Sequence, residues 1–408
     1  MKPGSWASIG LIYLYGVLGV ASLSKFIPLR SDLEQALQMG PQAFALLVAL
    51  LMLPPALLAS VGGRLIDRAG ARRTLLFSAL VGLLANIGYA LAASAAQYQV
   101  VRIVEGIGLI GVFTAAPALI MATTTGARRV RAMAFWATYT PVGFSLGLAI
   151  AGLFAATPHW RGGFLLHGAL FLVAAFLGLL LPSVAPSTVA AGPRGAAAKL
   201  LDLFSAYRQI GPLRLACAFG LIVSVGFGTN TVFPAYFAAA HQWPIGAAST
   251  LLATANLAMI AGSLLAGAAL ARGVAVRTLF GALAATGVVA HCLVFLPGMA
   301  STLHAAALCL WLAVLGGGTA TVLSQLPRVI ADPSQGAAAA GLLSQISALT
   351  TFITPPLWLA VSGSGHWQAY TGLALLCWLG SLLLLPVRAA PASRLAPAQA
   401  AAAEHPSN

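Results

Sequence analysis

Charge is what this chain has least of. Of its 408 residues only 7% are charged, and just seven are acidic against 21 Lys and Arg. A soluble chain carries about 25% charged residues, so this one cannot cover a water-facing surface. An ordinary cytoplasmic enzyme and a disordered chain are excluded. So is a nucleic-acid-binding domain, despite the net charge of +14, because the basic residues sit between long apolar runs rather than on a solvated face. Cysteine is scarce as well. Cys217, Cys292, Cys309 and Cys377 all fall inside apolar runs, with no metal-ligand spacing and no disulfide framework. They read as small apolar packing residues. No metal and no cofactor is expected.

What the chain has instead is hydrocarbon. Hydrophobic residues make up 60% of it, and the mean hydropathy is +0.94. A membrane span needs about 20 apolar residues, and the runs predict twelve, at roughly 6–29, 43–63, 74–95, 98–124, 132–156, 160–183, 212–238, 246–271, 276–297, 301–330, 336–362 and 367–388. The first run is longer than the apolar region of a cleaved signal and reads as a retained span. An all-α membrane protein follows, in contact with the lipid bilayer and with no room for a large soluble domain.

The basic residues set the topology. Lys2, Arg64, Arg68, Arg72, Arg73, Arg128, Arg129, Arg131, Arg194, Lys199, Arg208, Arg214, Arg272, Arg277, Arg328, Arg388 and Arg394, 17 of the 21, fall on one set of loops. Lys25, Arg30 and Arg161 lie on the other, and Arg102 lies within a span. The excess of Lys and Arg on cytoplasmic loops predicts that both termini face the cytoplasm.

The chain also repeats itself. Gly63, Arg68, Arg73, Thr74 and Leu75 recur 204 positions later as Gly267, Arg272, Arg277, Thr278 and Leu279, and His159-Trp160 recurs as His366-Trp367. A duplicated six-helix unit is predicted: 1–183, a basic linker 184–211, 212–388, and an Ala- and Pro-rich tail 389–408. Parallel halves related by an axis along the membrane normal are a transporter architecture, with the binding site between them near the midplane.

Three motifs then carry a resemblance. The loop Gly63-Arg64-Leu65-Ile66-Asp67-Arg68-Ala69-Gly70-Ala71-Arg72 is similar to the G-x-L-a-D-R-x-G-R-K signature of the major facilitator superfamily, with Ala71 in place of the usual basic residue and Arg73 beside it. Arg102, Glu105, Gly106 and Gly108 resemble the family's R-x-x-q-G-x-g in span 4, and Trp160-Arg161 with Phe164 opens span 6 as is common there. The resemblance implies two pseudo-symmetric six-helix bundles in the cytoplasmic (inner) membrane. It implies alternating access driven by a proton gradient, and a branch that serves metabolites, drugs or siderophores in bacteria. It assigns gating to Gly63, Asp67, Arg68, Gly70, Arg72 and Arg73. The second half carries Ala271 where the acid would be. The antiporter motif of span 5 is only loosely approached by Pro141, Gly143 and Gly147, without its Gly-Pro pair.

Candidate substrate or coupling residues are the polar groups within spans. Arg102 and Glu105 share a helix face at i, i+3, and an intramembrane charge normally faces a cavity or a partner. Glu105 is the expected titrating group, released when Arg102 moves to an anionic substrate. Lys25 lies in the outer part of span 1, placed either to touch substrate or to snorkel to the interface. Tyr139, Asn230, Asn256 and Gln325 complete the candidates. Arg30, Asp32 and Glu34 read as a solvated outer loop, and His167, His291 and His304 as packed or interfacial. With Glu105 as the one acid deep in a span, the cavity suits a neutral, zwitterionic or anionic small organic solute better than a lipophilic cation. A monomeric secondary transporter is expected, with export slightly favoured. An importer or facilitator of a small organic anion is the alternative, and a receptor, scaffold or membrane enzyme the reading of another class.

Overall fold

The computed structural model describes residues 1–58, 69–183, 209–329, 336–362 and 367–385. Among the described residues every regular element is a helix. In the first half these are α1 (Trp6–Ser24), α2 (Arg30–Ala36), α3 (Pro41–Leu50), α4 (Ala71–Leu91), α5 (Ala95–Thr123), α6 (Gly126–Ala137), α7 (Tyr139–Phe154) and α8 (Gly162–Gly178). In the second they are α9 (Ile210–His241), α10 (Ile245–Asn256), α11 (Ala258–Ala271), α12 (Val276–Val294), α13 (Ser301–Leu323), α14 (Leu326–Val329), α15 (Gly336–Ser362) and α16 (Trp367–Leu384). Among the described residues eight helical segments are long and apolar enough to cross a membrane, and three shorter apolar helices accompany them. Many large side chains, among them Leu57, Leu153, Leu264 and Leu383, stand exposed around the outside, as expected where hydrocarbon rather than water is the solvent.

Local chemistry sets the helix ends. Ser5 Oγ accepts from Ser8 N–H at the start of α1. At α5, Ser94 Oγ accepts from Gln97 N–H while Gln97 Oε1 accepts from Ala93 N–H, a reciprocal cap of donors that the helix itself cannot satisfy. Gly70 and Gly273 adopt φ of 82° and 86° in the turns before α4 and α12. A left-handed φ is costly for residues with a Cβ, so these glycines let the chain reverse tightly. Pro355 and Pro356 lie inside α15.

Three expected spans are interrupted. The helix of α3 pauses at Leu51–Met52 and resumes at Leu53, α6 gives way to α7 at Thr138, and α10 gives way to α11 at Leu257. The pauses at 51 and 257 stand at nearly the offset of the sequence repeat.

The repeat extends into packing. A Cβ on Gly82 would meet the ring of Phe171 at 2.8 Å, and one on Gly287 would meet the ring of Trp378 at 3.2 Å. The carbonyls of Leu179 and Leu383, 204 positions apart, each accept from an arginine, Arg72 and Arg214. Within the first half α1 packs on α7 and α4 on α5 and α8; within the second α9 packs on α15 and α11 on α13. The halves meet where α7 crosses α10 and α3 crosses α15. There Ser145 Oγ donates to Ala253 O at 2.6 Å, Phe144 meets Phe227 edge-on, and a side chain on Gly246 would strike the Gly152 carbonyl at 2.6 Å. Close approach of small residues is how helices pack in lipid.

Candidate functional site

The first half holds a sealed cluster of charge. Lys25 caps the C-terminus of α1, and α5 brings Arg102 and Glu105 to the same point one helical turn apart. Lys25 Nζ lies 2.6 Å from Glu105 Oε1, and Arg102 Nη1 lies 3.1 Å from Glu105 Oε2. Relative exposure is 1% for Lys25, 0% for Arg102 and 2% for Glu105. Two cations and one carboxylate thus share a dry interior, where each needs a full set of partners.

Those partners come from four helices. Tyr89 on α4 donates its hydroxyl to Glu105 Oε2 at 2.7 Å. Asn86, one turn earlier, donates from Nδ2 to Gly82 O at 2.8 Å, which turns its Oδ1 to accept from Lys25 Nζ at 2.7 Å. Arg102 donates to the carbonyls of Ser22 (2.8 Å), Leu47 (3.2 Å) and Val48 (3.4 Å). His167 on α8 places Nδ1 at 3.4 Å from Lys25 Nζ and Nε2 at 3.2 Å from Leu18 O. Aromatic rings close the space. Phe26, Tyr89, Tyr98 and Phe164 contact one another with centroids 5.0–6.3 Å apart. Arg102 sits 4.3 Å from the Phe26 centroid and Lys25 4.7 Å from that of Tyr89, which adds cation–π attraction.

This places the expected residues unevenly. Lys25 does not snorkel to an interface; it turns inward to join the Arg102–Glu105 pair. Arg102 is held by carbonyls of α1 and α3, so its departure toward a substrate would strand several acceptors. Asn86 and Tyr89 are not among the residues that the sequence marks as candidates, and His167, read there as packed or interfacial, is buried beside Lys25. Asn230 donates to Asn256 Oδ1 at 3.2 Å, both buried between α9 and α10, and Asn230 Oδ1 has no partner. Tyr139 stacks on Trp136 at 4.3 Å, away from the cluster. Gln325 lines a cavity of about 340 Å³ between the turn at 272–276 and the end of α13, with Ser324 and Arg328.

Of the gating candidates, Gly70 forms the turn described above, Arg72 donates to Leu179 O, and Arg73 is exposed. Gly63, Asp67 and Arg68 lie outside the described residues. Arg30 and Glu34 pair at 2.8 Å on α2, and Asp32 Oδ2 accepts from Ala156 N–H at 3.1 Å. This segment is therefore tied down rather than freely solvated. Burial raises the carboxyl of Asp32 above its ordinary value, with the bond from Ala156 opposing that shift.

Residues 9–346 match the family model described as Major Facilitator Superfamily. The chain belongs to that family. It is a membrane transporter of small solutes, not an enzyme. Among solved structures it is similar to the nucleoside transporter NupG, crystallised as a point mutant. That match has 12% identity, covers 93% of this chain and 100% of the other, and has a TM-score of 0.74. It is similar to the inward-open xylose transporter XylE from E. coli, with 14% identity, 93% and 96% covered and a TM-score of 0.74. A bacterial homolog of the human lysosomal transporter Spinster, inward-facing and unoccupied, matches with 14% identity, 94% and 95% covered and a TM-score of 0.72. At such identities the likeness is one of fold. No curated protein matches the chain in sequence.

Proposed function

We propose that this chain is a proton-coupled secondary transporter that moves a small neutral, zwitterionic or anionic organic solute across the cytoplasmic membrane by alternating access. The observation that carries this reading is the buried Lys25–Glu105–Arg102 cluster. A membrane protein does not hold three ionised groups in its interior without use for them, and a cluster that exchanges a proton gives the gradient a place to act. Twelve spans in two bundles, with both termini in the cytoplasm and the chain acting as a monomer, complete the reading. The repeated packing of the two halves and the one-sided arginine distribution support it.

The solute class follows from charge. Glu105 is the one acid within the described spans, and it already accepts from Lys25, Arg102 and Tyr89. That leaves no carboxylate to attract a lipophilic cation. The contacts of α7 with α10 close the end that carries the turns at 25–40 and 155–161. Under the arginine-derived topology this end is the outer one, so this conformation is closed to the outside.

The test is flux. Purified protein in liposomes of defined orientation is screened with labelled solutes, with and without an imposed proton gradient. Gradient-accelerated flux of at least one uncharged or anionic solute is expected. Binding without flux, or flux indifferent to the gradient for every solute carried, contradicts the proposal.

A further inference from the structure

We propose that Lys25, not Glu105, is the group of this cluster that gives up and regains a proton, and that Nδ1 of His167 is the acceptor that receives it. The inference rests on the proton-coupled reading above and names the atoms of that site.

Elimination carries the first part. Arg102 does not lose its proton in a protein, and its guanidinium is fixed by Glu105 and three backbone carbonyls. Glu105 receives hydrogen bonds from three donors. All three remain when Lys25 is neutral, those from Arg102 and Tyr89 unchanged and that from the amine weaker, and hydrogen bonds to the charged form of a carboxylate favour that form. Lys25 is left. With Lys25 charged the cluster bears two cations against one anion; with Lys25 neutral its charges balance. No other acid compensates among the described residues. Beside Lys25, α4 presents Asn86 and Tyr89, α5 presents Arg102, Glu105 and Tyr98, and α8 presents His167. The described α3 and the facing part of α7 present no titratable side chain. On α2, Arg30 and Glu34 pair with each other and Asp32 binds Ala156 N–H.

The tautomer of His167 carries the second part. A backbone carbonyl can only accept, so the contact with Leu18 O places the ring hydrogen on Nε2. Nδ1 is then a bare lone pair pointing at Lys25 Nζ. The ammonium has three hydrogens and three acceptors: Asn86 Oδ1, Glu105 Oε1 and His167 Nδ1. In the transfer one Nζ–H bond breaks and its electron pair stays on Nζ, while an Nδ1–H bond forms and the ring becomes imidazolium. The neutral amine still donates to Asn86 and Glu105, and its new lone pair accepts from Nδ1–H. No polar atom is stranded on either side of the step. The imidazolium then releases the proton to water when the halves rearrange.

The chain has three lysines, Lys2, Lys25 and Lys199, so a protein labelled with nitrogen-15 at Lys Nζ and at the histidine rings can be read lysine by lysine. Wild type in lipid nanodiscs is titrated across the physiological pH range without solute. The Lys25 signal is identified by its loss in Lys25→Met and, should that variant fail to fold, in the charge-keeping Lys25→Arg. The expected result is that the Lys25 signal alone passes from ammonium to amine while Lys2 and Lys199 stay ammonium. A ring signal lost in His167→Gln is expected to change with it, and that change is expected to vanish in Lys25→Arg. A Lys25 signal that stays ammonium throughout overturns the proposal. A His167 signal indifferent to Lys25→Arg overturns the relay. Because the titration needs no solute, a titrating Lys25 in a protein without flux would sink the transport reading alone. Gradient-driven flux with an unchanging Lys25 would sink this one alone.

Discussion

The two halves solve one packing problem with opposite chemistry. Carried forward by the repeat, Lys25 falls on Thr229 or Asn230, Asn86 on His291 and Phe171 near Trp378. The first half fills this region with ionised groups; the second fills it with neutral ones. His291 Nε2 lies 3.0 Å from Thr229 Oγ1, whose own hydrogen goes to Val225 O. His291 Nδ1 and the indole nitrogens of Trp311, Trp358 and Trp378 have no partner. Rings stand where the first half has charges: His291 is 4.8 Å from Trp311 and 5.9 Å from Trp358. An aromatic core tolerates a few unmet N–H groups, at a cost of about 1–3 kcal/mol each. A buried ion tolerates none, because stranding one costs several kcal/mol. The dense hydrogen bonding around Lys25 and Glu105 is the direct consequence.

This contrast can be broken at graded points. The largest effect is expected from Glu105→Gln, which leaves Lys25 and Arg102 facing each other. A stability loss of about 3–5 kcal/mol is expected in thermal melts of the purified protein. Next comes the glycine pair. Gly82→Ala drives a methyl into the Phe171 ring and should cost about 1–3 kcal/mol, as overpacking does. Gly287→Ala meets Trp378 at the longer distance and should cost less in the same melts. His291→Phe removes one neutral hydrogen bond within an aromatic surround. It should cost about 1 kcal/mol and leave gradient-driven flux intact, whereas Lys25→Arg should keep exchange flux and lose its response to the gradient. The smallest effect is at Asp32. Its carboxyl titrates above the ordinary value in the folded protein, so the folded state binds that proton more tightly than the unfolded chain does. The group therefore favours folding more as pH falls through that value. Asp32→Asn should flatten this slight acid-side gain in melting temperature.

Much of the architecture is legible in the residues. Apolar runs locate the helices, because lipid leaves the backbone no option but internal hydrogen bonding. The glycine-arginine echo is the sequence's own sign of a duplication. Arg102 and Glu105 stand out because charge in a span is rare. Lys25 is visible in the sequence but misplaced by it. It precedes a proline and a polar loop, which reads as an interfacial end, and its partner lies 80 positions away, beyond any local pattern. Asn86 and Tyr89 are hidden among other uncharged polar residues, and His167 is visible but reads as one packed histidine among several. One signal could have found the first two. Asn86 and Tyr89 are spaced i, i+3 on α4, as Arg102 and Glu105 are on the next helix, so the two antiparallel neighbours present matched polar faces. The interruptions at Leu51 and Leu257 leave no mark in hydropathy, since a pause within an apolar run changes backbone and not composition.

The charge count of the first half is the claim on which the rest depends, and melting curves of Lys25→Met, Glu105→Gln and the double variant at one pH test it most directly. Lys25→Met leaves a balanced Arg102–Glu105 pair and should lose least. Glu105→Gln leaves two cations and should lose most, and adding Lys25→Met to it should restore part of that loss. A Glu105→Gln protein that melts at or above Lys25→Met, with no recovery in the double variant, would contradict the account.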